Sequence, residues 1–167
     1  MPSLYDITVL VFTRTLRNLD HLLAKAIASG VDEQAMMAAR LAPDMLPFPR
    51  QVQIACDTAK LAVTRLAQVE PRSMPDDETT LAALRERIAR TIAYCDEADP
   101  AAFDGRDDAE IVLKFPAMEL TFTGQRLVTE FSLPNFFFHV TTAYALLRMT
   151  GVPLGKMDYL AGAQAPG

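Results

Sequence analysis

The stretch SLPNFFFHVTTAYALLRMTG, Ser132 to Gly151, decides how this chain is read. Steps of about 100° per residue put Ser132, Asn135, His139, Thr142 and Ala143 on one side of a helix. Phe131, Leu133, Phe136, Phe137, Phe138, Val140, Tyr144 and Leu147 cover most other directions. A helix that is apolar nearly all round is a buried one. The segment is therefore expected inside a helical assembly, carrying one narrow polar strip. An unpaired buried polar group costs about 1–3 kcal/mol, so the strip must find partners. His139 is one of only two histidines in the chain. A lone imidazole on such a face is a hydrogen-bonded core group, part of a small polar pocket, or a metal ligand, and the residues alone leave all three open. Pro134 cannot donate to the carbonyl of Glu130, which predicts a kink and a small polar cavity beside His139.

Outward from this segment, three more long helices are expected. The first covers about 3–29, with Ser3 as N-cap, Asp6 three residues on, and Phe12, Leu16, Leu19, Leu23 and Ala26 along one face. Gly30 ends it, and Asp32 starts a short helix. Three prolines within APDMLPFPR stop that helix, and Pro49 suits the first turn of the next. This second long helix runs to about Val69 with a stripe of Val52, Ala55, Ala59, Ala62, Leu66 and Val69. Ile54, Cys56, Leu61 and Val63 widen its apolar arc, which suggests a second packed surface and a homodimer partner to supply it. PRSMPDDE reads as a linker. Thr79 or Thr80 caps a third helix, which carries Leu81, Leu84, Ile88 and Ile92 and ends near Asp96.

After the turn-rich DPAAFDGRDDA the hydrophobic period changes. In EIVLKF and MELTFT apolar and polar residues alternate, with Pro116-Ala117 between the runs, so a β-hairpin is expected at about 110–123. A lone hairpin is marginal in water and must pack on the bundle. Thr123 then caps the fourth helix, and Gly151 terminates it. Residues 152–167 are expected to form a tail anchored by Leu154, Tyr159 and Leu160, with AQAPG loose at its end.

The bulk numbers fit one globular domain over residues 1–167. Half of the residues are hydrophobic and the formal net charge is -5. An acidic chain without a Lys/Arg run is not expected to bind nucleic acid or anionic membrane in general. MPSLYDITVL lacks a basic leader, and no apolar run approaches the roughly 20 residues needed to span a bilayer. Cys56 and Cys95 form no CxxC pair and imply no disulfide framework. A reducing, cytoplasmic setting is the expectation. His21 shares its face with Arg14, Arg17 and Lys25 and is expected in solvent. Asp57 lies with Gln53, Lys60 and Thr64, opposite the apolar stripe. Glycine-rich phosphate loops, HExxH and GxSxG are absent.

The stretches SLYDITVLVFTRTLRNLDHLL, LAPDMLPFPRQVQIACDTAK, FTGQRLVTEFSLPNFFFHVTTAYALLR and GVPLGKMDYLAG resemble a bacterial domain-of-unknown-function family of the DinB/YfiT-like superfamily. The resemblance spans nearly the whole chain. It implies an all-α, up-down-down-up four-helix bundle with the hairpin between helices three and four. It also implies, for metal-binding members, three histidines: one on the second long helix and an HxxxH pair on the fourth. Some relatives act as metal-dependent transferases or hydrolases, and many are homodimers.

Carried over residue by residue, the pattern is incomplete. His139 matches a histidine of the fourth-helix pair, but Ala143 and Asn135 stand four residues to either side. The second long helix has no histidine, and Gln53 or Asp57 must substitute. Catalytic zinc takes three protein ligands with an open position. The metal centre is thus expected to be lost or severely weakened, and no cofactor is expected. His139, Asn135, Asp57 and Gln53 are the candidate ligand-binding residues, for a small polar molecule, in a binding or interaction homodimer. No catalytic residue is assigned. The alternative is a divalent-metal-dependent transferase or hydrolase with His139 and Asp57 as ligands.

Overall fold

A computed structural model describes residues 2–165 of the chain. The first helix opens with a π-helical stretch, Asp6–Leu10, and continues as α1, Val11–Ser29. Ser3 and Asp6 bond reciprocally, each side chain accepting from the other's backbone N–H. Gly30 closes α1 at φ 68°, a left-handed conformation that suits glycine. Asp32 caps the short α2, Glu33–Ala38. The second long helix, α3, is Phe48–Ala67, and the third, α4, is Leu81–Asp96, capped by Thr80.

Contacts between side chains give the directions of the helices. Arg17 meets Asp96 while Asp20 meets Arg85, so α1 and α4 run antiparallel. Asp57 meets Arg87 while Thr64 meets Tyr94, so α3 and α4 run parallel. The fourth helix begins as α5, Gly124–Arg126, passes through π-helical turns at Leu127–Ser132, and continues as α6, Leu133–Met149. Asn135 meets Thr58 while His139 meets Gln51, so α6 is antiparallel to α3. The bundle is up-down-down-up, as expected.

Two consecutive parallel helices impose a crossover. The segment 68–80 must travel back about 24 Å along the bundle, given about 1.5 Å per residue of helix. It does so in extended form, starting at Gln68, whose φ of 55° turns the chain out of α3.

The hairpin consists of β1, Glu110–Phe115, and β2, Met118–Thr123, in antiparallel register from Glu110 opposite Thr123 to Phe115 opposite Met118. Ile111 and Leu113 are buried against the bundle, whereas Phe115 and Met118 at the tip are exposed. Gly124 follows at once. A Cβ there would stand 2.0 Å from the carbonyl oxygen of Arg106, so only glycine allows the fourth helix to start so close to that loop.

Pro134 sits in the first turn of α6, just after the π-helical turns. Widening the helix before the ring accommodates a residue that cannot close an α-helical bond to Glu130. Ser132, in those turns, is buried with a hydroxyl that has no partner among the described residues.

The tail differs from expectation in its anchors. Lys156–Ala161 forms α7, and Gly162–Gln164 a 3-10 turn, so Ala163 and Gln164 are ordered on α1. Leu154 is buried and Tyr159 stacks on Tyr144, but Leu160 is exposed and its carbonyl, with that of Tyr159, accepts from Asn18. His21 is not free in solvent. It meets Asp158 at 3.3 Å, beside a 2.8 Å bond from Lys25 to the same carboxylate. The expectation of a loose end at Pro166 and Gly167 lies outside the described residues.

The core fills the bundle along its length, from Phe12, Leu16 and Leu19 through Val52, Ala59 and Leu66 to Phe136, Ala143 and Leu147. The wide apolar arc of α3 is covered only in part within the chain, since Ile54 stays half-exposed. Cys56 and Val63 are fully buried, and Leu61 is partly buried against the core. No helix among the described residues is long and apolar enough to cross a membrane.

Candidate functional site

His139 points from α6 to α3, where its partner is Gln51, with Nδ1 2.7 Å from Oε1. The side-chain amide nitrogen of Gln51 donates to the carbonyl of Leu46 at 2.9 Å, which orients the amide. Its oxygen then faces the ring, and an amide oxygen only accepts, so Nδ1 carries the proton. Nε2 is left with its lone pair and has no hydrogen-bond partner among the described residues. Burial, and then the positive charge of Arg50, pushes the imidazole pKa below its ordinary value. His139 is thus a neutral, hydrogen-bonded group at the α3–α6 interface.

Asn135, one turn earlier on α6, also reaches α3. Its Nδ2 donates to Thr58 Oγ1 at 2.8 Å, and Thr58 in turn donates to the carbonyl of Ile54. The structure thus puts His139 and Asn135 on one interface, as expected. It does not bring Gln53 to them, and Asp57 meets Asn135 only as part of the lining of one cleft.

Gln53 and Asp57 turn the other way, toward α4 and the crossover. Gln53 donates to Glu78 at 2.8 Å and accepts from Arg50. Asp57 bonds Arg87 at 2.9 Å. The helix wheel had placed both away from the apolar stripe, and that direction is right. Gln53 is nonetheless buried, because residues 68–80 cross back over that side.

Arg87 is the residue that sequence reasoning missed. It is fully buried, and it bonds Glu78, Asp57, Asp76 and the carbonyl of Pro75. Burial raises the carboxyl pKa of Glu78, but bonds from Gln53 and Arg87 outweigh this and hold it below its usual range. A signal was present. Leu84, Arg87, Thr91 and Cys95 follow one another by three and four, which places an arginine within the core stripe of α4. A charge in that position demands an acidic partner, and the acidic crossover carries Asp76 and Glu78.

These donors do not fit a divalent metal ion. Among the described residues no three His, Cys, Asp or Glu side chains converge. On the two helices that would share an ion, the opposing groups are one imidazole and one amide, and they bond each other. Transition ions prefer imidazole, thiolate or carboxylate donors to amides.

A large concavity lies next to Asn135 rather than at His139. A cleft of about 950 Å³ opens between α3, the crossover, the hairpin and the turns before α6. Thr58 and Asn135 lie on its lining, and Leu61, Val69, Ile111, Phe115 and Phe131 give it apolar walls. The rings of Phe115 and Phe122 pack on Phe131, with centroids 6.2 and 5.9 Å from it. Five cationic side chains line the cleft: Lys60, Arg65, Arg72, Arg106 and Lys114. Asp57 and Glu110 are its two carboxylates.

Comparison with known proteins agrees with this architecture. No curated protein matches the chain. A crystal structure of a DinB family member protein from Shewanella denitrificans is similar over 98% of this chain and 95% of that one, at 42% identity and a TM-score of 0.85. The model of DUF1993, a domain of unknown function, matches residues 4–160. With nearly its whole length matched, the chain belongs to the DUF1993 family, within the DinB-like superfamily.

Proposed function

We propose that this protein is a small-molecule-binding member of the DinB-like fold, that the cleft beside α3 and the hairpin is its binding site, and that it works without a divalent metal centre. One observation carries this reading. This cleft combines apolar walls with a few placed polar groups, Thr58 and Asn135 among them, as ligand sites do. Its volume falls in the range of about 300–1,000 Å³ common for such sites. Asn135 spends one amide hydrogen on Thr58, and its carbonyl oxygen has no donor among the described residues. That oxygen is free to accept from a ligand. His139 supports the site indirectly by holding α6 against α3.

The test pairs metal analysis with ligand mapping. Protein purified without a histidine tag is assayed for nickel, zinc, manganese and iron. It is then screened with small organic fragments by amide chemical-shift mapping. The expected result is no stoichiometric metal, with shifts grouped at Thr58, Leu61, Ile111, Phe131 and Asn135. A stoichiometric ion whose removal perturbs His139 would overturn the reading in favour of a metal-dependent transferase or hydrolase.

A further inference from the structure

The charges of the cleft name its ligand class, on the premise that the cleft is a binding site. Lys60 is the informative residue. Its side chain is only 11% exposed, yet Nζ makes no hydrogen bond among the described residues. Its one ion pair is 3.6 Å long, to Asp57 Oδ1, an oxygen that already accepts from Arg87 at 2.9 Å. The stem of Lys60 is buried while Nζ keeps contact with solvent, so its unused donors are open to an acceptor. Lys60 lines the cleft, so the acceptor can arrive there.

Two of the other four cations reinforce the sign, since Lys114 is paired with Glu119 at 3.7 Å and Arg72 also has a carboxylate. Arg72 is neutralised by Glu97. Arg65 is exposed and has no carboxylate partner among the described residues. Arg106 bonds only the carbonyls of Leu66 and Arg65, which end α3, and so brings its charge to the cleft without an acid. This concentration of positive charge stands out in a chain of net charge -5. Opposite it, Leu61, Ile111, Phe115 and Phe131 offer an apolar surface. We infer that the cleft takes an amphipathic anion: one oxyanion head on Lys60, with Arg65 near, and a hydrocarbon or aromatic body along the hairpin and Phe131.

Three ten-carbon probes separate the contributions: decanoate, decanol and decyltrimethylammonium. Each is titrated calorimetrically and by amide shifts into the wild-type protein, Lys60→Met and Arg65→Gln. Decanoate is expected to bind once per chain and to lose affinity about tenfold in Lys60→Met, the scale of a charge-assisted bond. Arg65→Gln and added salt are expected to weaken it less. Decanol should bind more weakly than decanoate, and the cation should not bind. Equal binding of decanol and decanoate, or no weakening in Lys60→Met, would refute the anionic head while leaving the cleft as a binding site. If no probe shifts the cleft residues, both readings fall. Circular dichroism reports whether Lys60→Met folds. Should it not, Arg65→Gln and the salt series decide, and no weakening in either refutes the inference.

Discussion

Gln51 Oε1 lies 2.7 Å from His139 Nδ1, across two antiparallel helices, and the contact fixes a proton on Nδ1. Because Leu46 holds the amide of Gln51, the ring must present an N–H at Nδ1. Nitrogen NMR is expected to find Nδ1 protonated and Nε2 bare at neutral pH. In Gln51→Leu the preference for Nδ1–H is expected to disappear.

The same ring gives a pH dependence. Burial and Arg50 lower its folded pKa, while the unfolded chain titrates at about 6.5. As the pH falls below about 6.5, the unfolded state takes up the proton first, so stability declines until the folded ring protonates too. Above that pH the ring contributes no slope. In His139→Gln, urea denaturation from neutral to mildly acidic pH should show a flatter decline than in the wild type. An unchanged slope would show that His139 does not titrate abnormally.

Arg87 holds the crossover to the bundle. Removing one partner of a buried ion pair leaves the other uncompensated, at about 3–5 kcal/mol. Arg87→Met strands Glu78, which is buried and retains only Gln53 and the more distant Arg90. Urea denaturation is expected to show a loss of that size. Arg87→Met combined with Glu78→Gln should recover part of it, since no buried charge is then stranded.

The helices and the hairpin were legible because their periods were clean. Alternation in EIVLKF and MELTFT marked the strands, and Thr80, Thr123 and Gly30 marked ends with a physical reason for ending. The four-helix direction pattern came from the family resemblance, since no local signal records whether neighbouring helices run parallel. The same gap hid half of the site. The helix wheel located Gln53 and Asp57 correctly on α3. It could not show that residues 68–80 fold back over them, which is a consequence of topology. His139 and Asn135 were legible as one polar strip. Their partners Gln51 and Thr58 were not, because a wheel gives the face of one helix and not the register between two.

Gly124 is a tight point of the hairpin's return into the fourth helix. An added Cβ meets backbone, the Arg106 carbonyl at 2.0 Å, rather than a side chain that can turn aside. Gly124→Ala must therefore move the loop, with an overpacking cost of about 1–3 kcal/mol. The shift should also reach the cleft, because Arg106 lines it. Thermal unfolding checks the first effect, and amide shifts at Arg106 and Ile111 check the second. A variant with wild-type stability would mean that the loop yields freely.

The two cysteines report on the α3–α4 interface that Arg87 occupies. Burial pushes the thiol of Cys56 up to about 11 and that of Cys95 up to about 12. Thiolate is the reacting form, so at pH 8 a thiol with a pKa near 11 is ionised in only about one molecule in a thousand. Both side chains are also closed to solvent. A thiol reagent is therefore expected to leave the native protein unmodified and to react with both cysteines in denaturant. Labelling must then wait for opening of the interface. Cys56 lies near Thr91 and Arg87, both of which act on its pKa. If Arg87 secures that interface, Arg87→Met should accelerate labelling by about 10²–10⁴-fold, the equivalent of its stability loss. Unchanged labelling in a destabilised variant would place the weakened region elsewhere, in the crossover alone.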